Sequence, residues 1–145
     1  MPSRTADTQW TGGLNDGSGV TTLVSSGAAT FDVSFPRRAA EDADGVTSPE
    51  ELIAAAHSAC YAMQFSALIG RAGGTPVSLN VSATATLSPD PAGGFQISGI
   101  ALTVRGVVEN LDEAAFKETA EAAKASCPVS KALTGTTITL DATFA

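Results

Sequence analysis

The sequence predicts an α+β fold in which antiparallel sheets pack with one long, central, buried helix. Three patterns lead to this prediction: short alternating segments in the first third, a long apolar run behind a helix-start signal, and period-two segments on both sides of a second helix. Strands and helices do not alternate one by one, so we expect antiparallel sheets rather than a doubly wound parallel sheet. With 145 residues, 43% of them apolar, the chain is expected to form a single domain over residues 1–145.

The first third of the chain predicts an antiparallel meander. Alternating apolar and polar residues at 20–26 and 28–35 indicate two of its strands. Residues 37–47 have neither helical nor strand periodicity, so we expect an exposed loop there. This loop would carry the adjacent Arg37 and Arg38.

A long helix is predicted next, from Ser48 to the stop at Gly73 and Gly74. Ser48 and Pro49 favour the first helical turn, and Glu51 completes a capping box. The helix would contain about 24 residues and measure ~36 Å. Its apolar side chains occur on nearly every face, so we expect it to be buried on most of them.

Period-two patterning follows the helix and predicts a strand in which Val77 and the alternate residues after it face inward. A turn rich in proline and glycine leads to a return strand, with Phe95 and Ile97 also facing inward. The parity of the apolar residues then shifts at Ser98 and Gly99. This shift predicts a β-bulge.

The last third predicts a second helix over residues 112–126, capped by Asp112. Cys127 and Pro128 interrupt this helix, and Pro128 favours a further short helical turn. Alternation over residues 137–144 then predicts a closing strand.

The charge balance excludes several classes of partner. The chain has 8 Lys and Arg against 15 Asp and Glu, for a formal net charge of −7. So few cations cannot neutralise a nucleic acid backbone or hold an anionic membrane surface. The first residues lack the apolar core of a signal peptide, and no segment approaches the roughly 20 uninterrupted apolar residues of a membrane span. We therefore expect a soluble, cytoplasmic protein.

The two cysteines are the main candidates for chemistry. Cys60 lies in the middle of the predicted long helix, with His57 and Gln64 on the same stripe. Cys60 alone is compatible with a small buried hydrophobic residue, and His57 with a packed core histidine. Cys127 lies just before Pro128, where free N–H groups of a new helix would stabilise a thiolate, although a chance cap position is equally compatible. These residues lack the Cys-x-x-Cys or His-x-x-x-His spacing of a zinc site, and they provide no third group for a Cys–His hydrolase.

A thiolate in mid-helix requires a cationic partner, and Arg37 or Arg38 is the available source. A carboxylate would orient that guanidinium, and Glu50 and Glu51 are candidates. Glu50 precedes Cys60 by ten residues, or ~15 Å of helical rise, so the two cannot share a site along one straight helix. Two copies of the helix packed antiparallel would bring Glu50 of one chain towards Cys60 of the other. The spacing therefore predicts a dimer with sites across its interface.

Two motifs are specific when taken together. They are TSPEELIAAAHSAC at residues 47–60 and CPVS at residues 127–130. With the N-terminal meander around Trp10 and the closing strand, they resemble the family of osmotically inducible proteins and organic hydroperoxide resistance proteins (OsmC/Ohr), and its OsmC branch in particular. The resemblance covers nearly the whole chain.

The resemblance implies an OsmC-like, tightly intertwined homodimer with thiol peroxidase activity. Cys60 matches the family's peroxidatic cysteine, and Cys127 matches its partner in an intramolecular disulfide. Glu50 matches the glutamate of the family's Pro-Glu pair, and the Phe-x-x-Arg spacing from Phe35 selects Arg38 as the guanidinium.

The resemblance also implies a substrate class and a reductant. The substrates would be organic hydroperoxides and, more weakly, hydrogen peroxide, reduced in oxidative and osmotic stress defence. A lipoylated protein or a small dithiol would supply the electrons, and no metal, haem or flavin would be required. The alternative is a non-catalytic stress protein on the same fold, which is either structural or binds small molecules or thiols. In such a protein the oxidation of the two cysteines would not be coupled.

Overall fold

The computed structural model describes residues 1–145 and confirms the α+β class. The chain forms two compact units, residues 1–52 and residues 53–145. One three-stranded sheet lies in each unit. The expectation of a single domain stays a prediction.

The first unit contains an antiparallel sheet in the order β1, β2, β3. Its strands are β1 at Asp7–Thr11, β2 at Ser18–Thr22 and β3 at Thr30–Val33. The meander was predicted, but the predicted strands at 20–26 and 28–35 extend too far. A turn between β2 and β3 takes the place of the adjoining ends of the two predicted strands. Gly27 lies in this turn, and its φ of +65° suits a tight reversal of the chain.

The short helix α1, at Phe35–Ala39, corrects the predicted loop. Ser34 is its N-cap and accepts a hydrogen bond from the Arg37 N–H at 3.4 Å, and Pro36 lies in the first turn. One helical turn is too short to show periodicity, so the sequence pattern did not reveal it. Both arginines of interest therefore lie on a helical turn.

The long helix α2, at Pro49–Arg71, has the predicted bounds. The Ser48 hydroxyl accepts the Glu51 N–H at 3.2 Å, as a capping residue should. The helix ends before Gly73, whose φ of +87° is the left-handed conformation that stops helices.

Burial of α2 is narrower than predicted. One stripe at four-residue spacing is fully buried, namely His57, Tyr61, Phe65 and Ile69. Other faces are exposed in the single chain, and Met63 shows 69% of its surface. By length and composition alone α2 is also long and apolar enough to cross a membrane, although polar residues such as His57 and Gln64 interrupt its apolar run. Core helices pass the same test, and the buried stripe of α2 packs in the core of the second unit.

The second sheet has the order β4, β5, β6. β4 at Thr75–Pro89 and β5 at Phe95–Glu109 form the predicted antiparallel hairpin. The register skips Ser98, which confirms the predicted bulge, and a second irregularity at Val77 was not predicted. That irregularity turns Val77 outward, so its predicted inward position is wrong, as is that of the exposed Phe95.

The closing strand β6, at Thr137–Phe144, pairs parallel to β5 and corrects the antiparallel prediction for this pair. Between the two strands run α3 at Glu113–Ser126 and α4 at Pro128–Ala132. This helical crossover returns the chain to the same end of the sheet, so the strands must run in one direction.

The core of the second unit lies between α2, α3 and one face of the sheet. The rings of Phe65 and Phe116 meet edge to face with centroids 5.0 Å apart. Gly106 on β5 admits this packing, because a Cβ there would lie 2.6 Å from the Phe116 ring. The Tyr61 hydroxyl donates a hydrogen bond to the Ala120 carbonyl at 3.1 Å. Together these contacts hold α2 and α3 in one arrangement.

Candidate active site

The two cysteines lie side by side in the second unit, although 67 positions separate them in the chain. Cys60 is in the middle of α2, and Cys127 lies between α3 and α4. Both are free thiols, and their sulfur atoms are 3.1 Å apart. A disulfide bond measures about 2.0 Å, so a shift of roughly 1 Å would allow it to form.

Cys127 is positioned by the break between two helices. Its N–H donates to the Ala123 carbonyl at 2.9 Å and ends α3, and its carbonyl accepts from the Lys131 N–H at 3.0 Å and begins α4. Pro128 supports this break, because it lacks the N–H needed to continue α3. The predicted helix interruption therefore places the sulfur against α2.

The pKa values of the two thiols shift in opposite directions. Burial raises the pKa of Cys60, and the adjacent Cys127 raises it further. Burial also raises the pKa of Cys127, but hydrogen bonds from the Ser130 N–H, the Cys60 thiol and the Ser130 hydroxyl outweigh it and hold this pKa below its ordinary value. Within this unit the negative charge is therefore favoured on Cys127, and Cys60 requires a cation to become a thiolate.

A histidine and a serine lie buried beside the thiols. His57 is fully buried, as expected of a packed core histidine, and its Nε2 lies 2.8 Å from the Ser130 Oγ. The other ring nitrogen, Nδ1, has no hydrogen-bond partner. Burial lowers the pKa of His57. Sequence reasoning missed Ser130, and the available signal was its place three residues after Cys127, which puts both on one face of a helical turn.

The charged pair of the site lies in the first unit. Arg38 Nη2 donates to Glu50 Oε1 at 2.6 Å, and Arg38 Nε lies 3.1 and 3.2 Å from the two carboxylate oxygens. Arg37 instead pairs with Asp44 at 2.8 Å on the surface. Glu51 accepts a hydrogen bond from the Thr47 hydroxyl. The structure therefore pairs Arg38 with Glu50, in agreement with the choice that the family resemblance implied.

Both members of this pair are charged at neutral pH. Hydrogen bonding to Glu50 raises the pKa of Arg38. Burial raises the pKa of Glu50, but hydrogen bonds led by that from Arg38 outweigh burial and hold the pKa below its ordinary value. Several hydrogen bonds between guanidinium and carboxylate fix the orientation of both groups. The pair therefore provides a guanidinium whose orientation is fixed by the Glu50 carboxylate.

An apolar cavity of about 150 Å³ adjoins Arg38 in the same unit. Its apolar walls include Trp10, Leu14, Val33 and Phe35. Trp10 is held by a hydrogen bond from its ring N–H to the Gly12 carbonyl at 2.9 Å. A hydrocarbon group placed here would lie next to a guanidinium.

The four predicted site residues thus form two pairs, one in each compact unit. Glu50 and Cys60 both belong to α2, as the sequence predicted. No three His, Cys, Asp or Glu side chains come together in an arrangement that could hold a metal ion.

Similarity to known proteins covers Glu50 and both cysteines, whereas Arg38 precedes the residues that match the family. Residues 42–141 match the family described as OsmC-like protein. Peroxiredoxin OsmC of Escherichia coli strain K12 is 45% identical over 95 residues, which are 66% of this chain and 65% of that protein. The match thus spans slightly less than two thirds of that relative's length.

Two solved structures show the same fold. That of OhrB, an organic hydroperoxide resistance protein of Bacillus subtilis, has a TM-score of 0.73 at 30% identity and covers 95% of this chain and 97% of its own. An organic hydroperoxide resistance protein of Elizabethkingia anophelis has a TM-score of 0.74 at 25% identity, covering 97% and 96%. With the match over residues 42–141, the α+β fold and the two motifs, this chain belongs to the OsmC-like protein family.

Proposed function

We propose that this protein is a thiol-dependent peroxidase that reduces organic hydroperoxides and, more weakly, hydrogen peroxide in oxidative and osmotic stress defence. The observation that carries the proposal is the 3.1 Å contact between the Cys60 and Cys127 sulfur atoms. Two free thiols at this distance can exchange two electrons with an oxidant by forming a disulfide. The family and the names of its relatives, a peroxiredoxin and two organic hydroperoxide resistance proteins, support it.

Cys60 is the residue that meets the peroxide in this proposal. Cys60 is partly exposed, whereas Cys127 is fully buried. The Cys60 thiolate attacks one peroxide oxygen, so that a sulfur–oxygen bond forms as the oxygen–oxygen bond breaks. The leaving alkoxide takes up a proton and departs as an alcohol, and Cys60 remains as a sulfenic acid.

Arg38 supplies the cation that Cys60 requires. Its positive charge lowers the cost of the thiolate and stabilises the negative charge that develops on the leaving oxygen. Glu50 orients the guanidinium through the hydrogen bonds of 2.6 to 3.2 Å. The apolar cavity beside Arg38 favours an alkyl hydroperoxide over a small polar one.

Cys127 completes the oxidation. Its sulfur attacks the Cys60 sulfenic acid, a sulfur–sulfur bond forms, and the hydroxide that leaves is protonated to water. A lipoylated protein or small dithiol then reduces the disulfide by giving up its own two thiol electrons. The scheme uses no metal, haem or flavin.

A homodimer is part of the proposal. α2 leaves a stripe of exposed apolar residues at four-residue spacing: Ala55, Ala59, Met63 and Ala67. Two α2 helices packed antiparallel and crossing near Ala55, at one end of this stripe, would bury part of it and place Glu50 of one chain opposite the partner's Cys60. The other proposed partners are the hydroperoxide and the reductant. We propose no nucleic acid or membrane partner, and we propose that the protein is located in the cytoplasm.

The test is a thiol titration before and after one equivalent of cumene hydroperoxide. We expect both thiols of each chain to disappear and one equivalent of the alcohol to form. Mass spectrometry after digestion would show Cys60 linked to Cys127. A matched reaction with Cys127→Ser should yield oxidised Cys60 without a disulfide.

Two results would contradict the proposal. If both thiols persist and the hydroperoxide is not consumed, the protein is a non-catalytic binding or structural protein. Oxidation of one thiol only, with no disulfide in the unmutated chain, would remove Cys127 from the cycle.

A further inference from the structure

The buried pair formed by His57 and Ser130 has no role in the scheme above. The two residues come from α2 and α4, 73 positions apart, and their polar atoms meet at 2.8 Å. His57 is 0% exposed and Ser130 6%. Burying polar side chains among apolar ones costs free energy unless their hydrogen bonds are made. The position of the proton in this pair is therefore constrained.

The unpartnered Nδ1 of His57 indicates which nitrogen carries the proton. Burial lowers the pKa of His57, so the ring is neutral and has a single N–H. A buried N–H without an acceptor is tolerated less well than an unused lone pair. Since Nδ1 has no partner, the proton belongs on Nε2. The ring then donates its hydrogen bond to the Ser130 Oγ.

This assignment sets the direction of the next hydrogen bond. The Ser130 oxygen accepts from His57, so its single hydroxyl hydrogen is free to be donated elsewhere. The Ser130 hydroxyl also hydrogen bonds with Cys127, and that bond favours the Cys127 thiolate. The donors thus run in one direction, from His57 through Ser130 to the Cys127 sulfur.

Few other charged groups act on this chain of hydrogen bonds. Burial alone accounts for the shift of His57, without a charged neighbour. On α2, Cys60 and Tyr61 are the other titratable groups at the cluster, and Tyr61 also feels Glu121 of α3. Hydrogen bonds to the Cys127 sulfur, of which the Ser130 hydroxyl supplies one, therefore favour the charge on that sulfur.

We propose that His57 and Ser130 are positioning residues that hold Cys127 as the attacking thiolate in the step that follows oxidation of Cys60. This inference rests on the proposed peroxidase function and deepens it. In that step the Cys127 sulfur bonds to the Cys60 sulfur, the sulfur–oxygen bond of the sulfenic acid breaks, and hydroxide leaves and is protonated. Disulfide formation consumes the charge, so the Ser130 hydroxyl assists Cys127 only while it is reduced.

The first test needs no peroxide. In a Cys60→Ser background, Cys127 is the one remaining thiol, and its thiolate can be titrated by ultraviolet absorbance. Adding Ser130→Ala should raise the apparent pKa of Cys127 by about one unit, because a hydrogen bond to the charged sulfur is lost. Ser130→Thr keeps a hydroxyl and should restore the original value. An unchanged titration with Ser130→Ala would overturn the inference.

The second test uses the protein with both cysteines and follows sulfenic acid and disulfide by rapid quenching and mass spectrometry. Ser130→Ala should slow disulfide formation about tenfold, as expected for a thiol ionised tenfold less, while the preceding oxidation of Cys60 keeps its rate. His57→Gln retains an N–H donor and should react nearly as fast as the unmutated chain, whereas His57→Leu should be as slow as Ser130→Ala. Equal disulfide rates in all variants would contradict the role.

The two proposals fail in different ways. A chain that never consumes hydroperoxide contradicts the proposed function, and with it the assignment of an attacking step. The Cys127 titration would still decide whether His57 and Ser130 hold the thiolate.

Discussion

Residues 1–52 hold a charged pair whose members are 12 positions apart, whereas residues 53–145 hold two thiols 67 positions apart. Arg38 and Glu50 keep 33% and 9% of their side-chain surfaces exposed. Cys127 is fully buried in a core shared by two helices and a sheet. Local elements hold the first pair, and long-range packing holds the second.

In the proposed chemistry the charged pair acts through electrostatics, whereas the two thiols undergo covalent change. The charged pair provides a fixed field without altering its own bonds. The thiols change oxidation state and require small movements, which the 3.1 Å contact permits. Substitutions in the two regions should therefore affect different observable quantities, with the thiols deciding whether a reaction occurs and the ion pair deciding its rate.

The largest effect is expected for Cys60→Ser, which should abolish hydroperoxide consumption. Serine is nearly isosteric but cannot reduce an oxygen–oxygen bond. The matched variant Cys127→Ser should complete about one turnover and then stall with Cys60 as sulfenic or sulfinic acid. Peroxide assays and intact mass would follow both. Continued cycling of Cys127→Ser would mean that the reductant attacks the Cys60 sulfenic acid directly and that Cys127 has a structural role.

Arg38→Ala should lower the rate of Cys60 oxidation, on the order of a hundredfold, because a cation beside the thiolate and the leaving oxygen is lost. Arg37→Ala is the matched control from the same helix, since Arg37 pairs with Asp44 at the surface, and it should change the rate less than about twofold. Stopped-flow measurement of the first turnover distinguishes the two. If Arg37→Ala were the slower variant, the cation that acts on Cys60 would be Arg37, and the assignment of this role to Arg38 would be wrong.

Refolding two variant chains together tests how the two regions combine in the proposed dimer. Glu50→Ala and Cys60→Ser chains, unfolded and refolded together, should regain about a quarter of the unmutated activity if Glu50 acts across a dimer interface. Half of the dimers would be mixed, and each would contain one intact site. No recovery, with mixed dimers confirmed by native mass spectrometry, would indicate that Glu50 acts within its own chain.

The smallest effect concerns stability. Burial lowers the pKa of His57, so between that value and the ordinary 6.5 the unfolded chain binds a proton that the folded chain does not. The free energy of unfolding should therefore fall as the pH drops below 6.5, by at most about 1.4 kcal/mol per pH unit. His57→Gln removes the one histidine of the chain and should flatten this slope in denaturant titrations. An identical slope in both would show that His57 is protonated in the folded protein.

Much of the secondary structure was predictable because its signals are local. Ser48 and Asp112 accept backbone hydrogen bonds three residues on and mark the starts of α2 and α3. Gly73 marks the end of α2 through its backbone conformation. The parity shift at Ser98 likewise predicted a bulge that the sheet register confirms. Such signals involve neighbouring residues, so they survive without knowledge of the fold.

The sequence also supplied the residue types of the candidate site, but only tertiary structure decided which of them meet. The charge balance, the mid-helix Cys60 and the helix break at Cys127 are readable along the chain. The parallel pairing of β6, the narrow buried face of α2 and the contact of the two sulfurs depend on how the crossover helices pack. The hydrogen bond between His57 and Ser130 spans 73 positions for the same reason. Contacts of this kind are selected by burial of a common core, which no local pattern encodes.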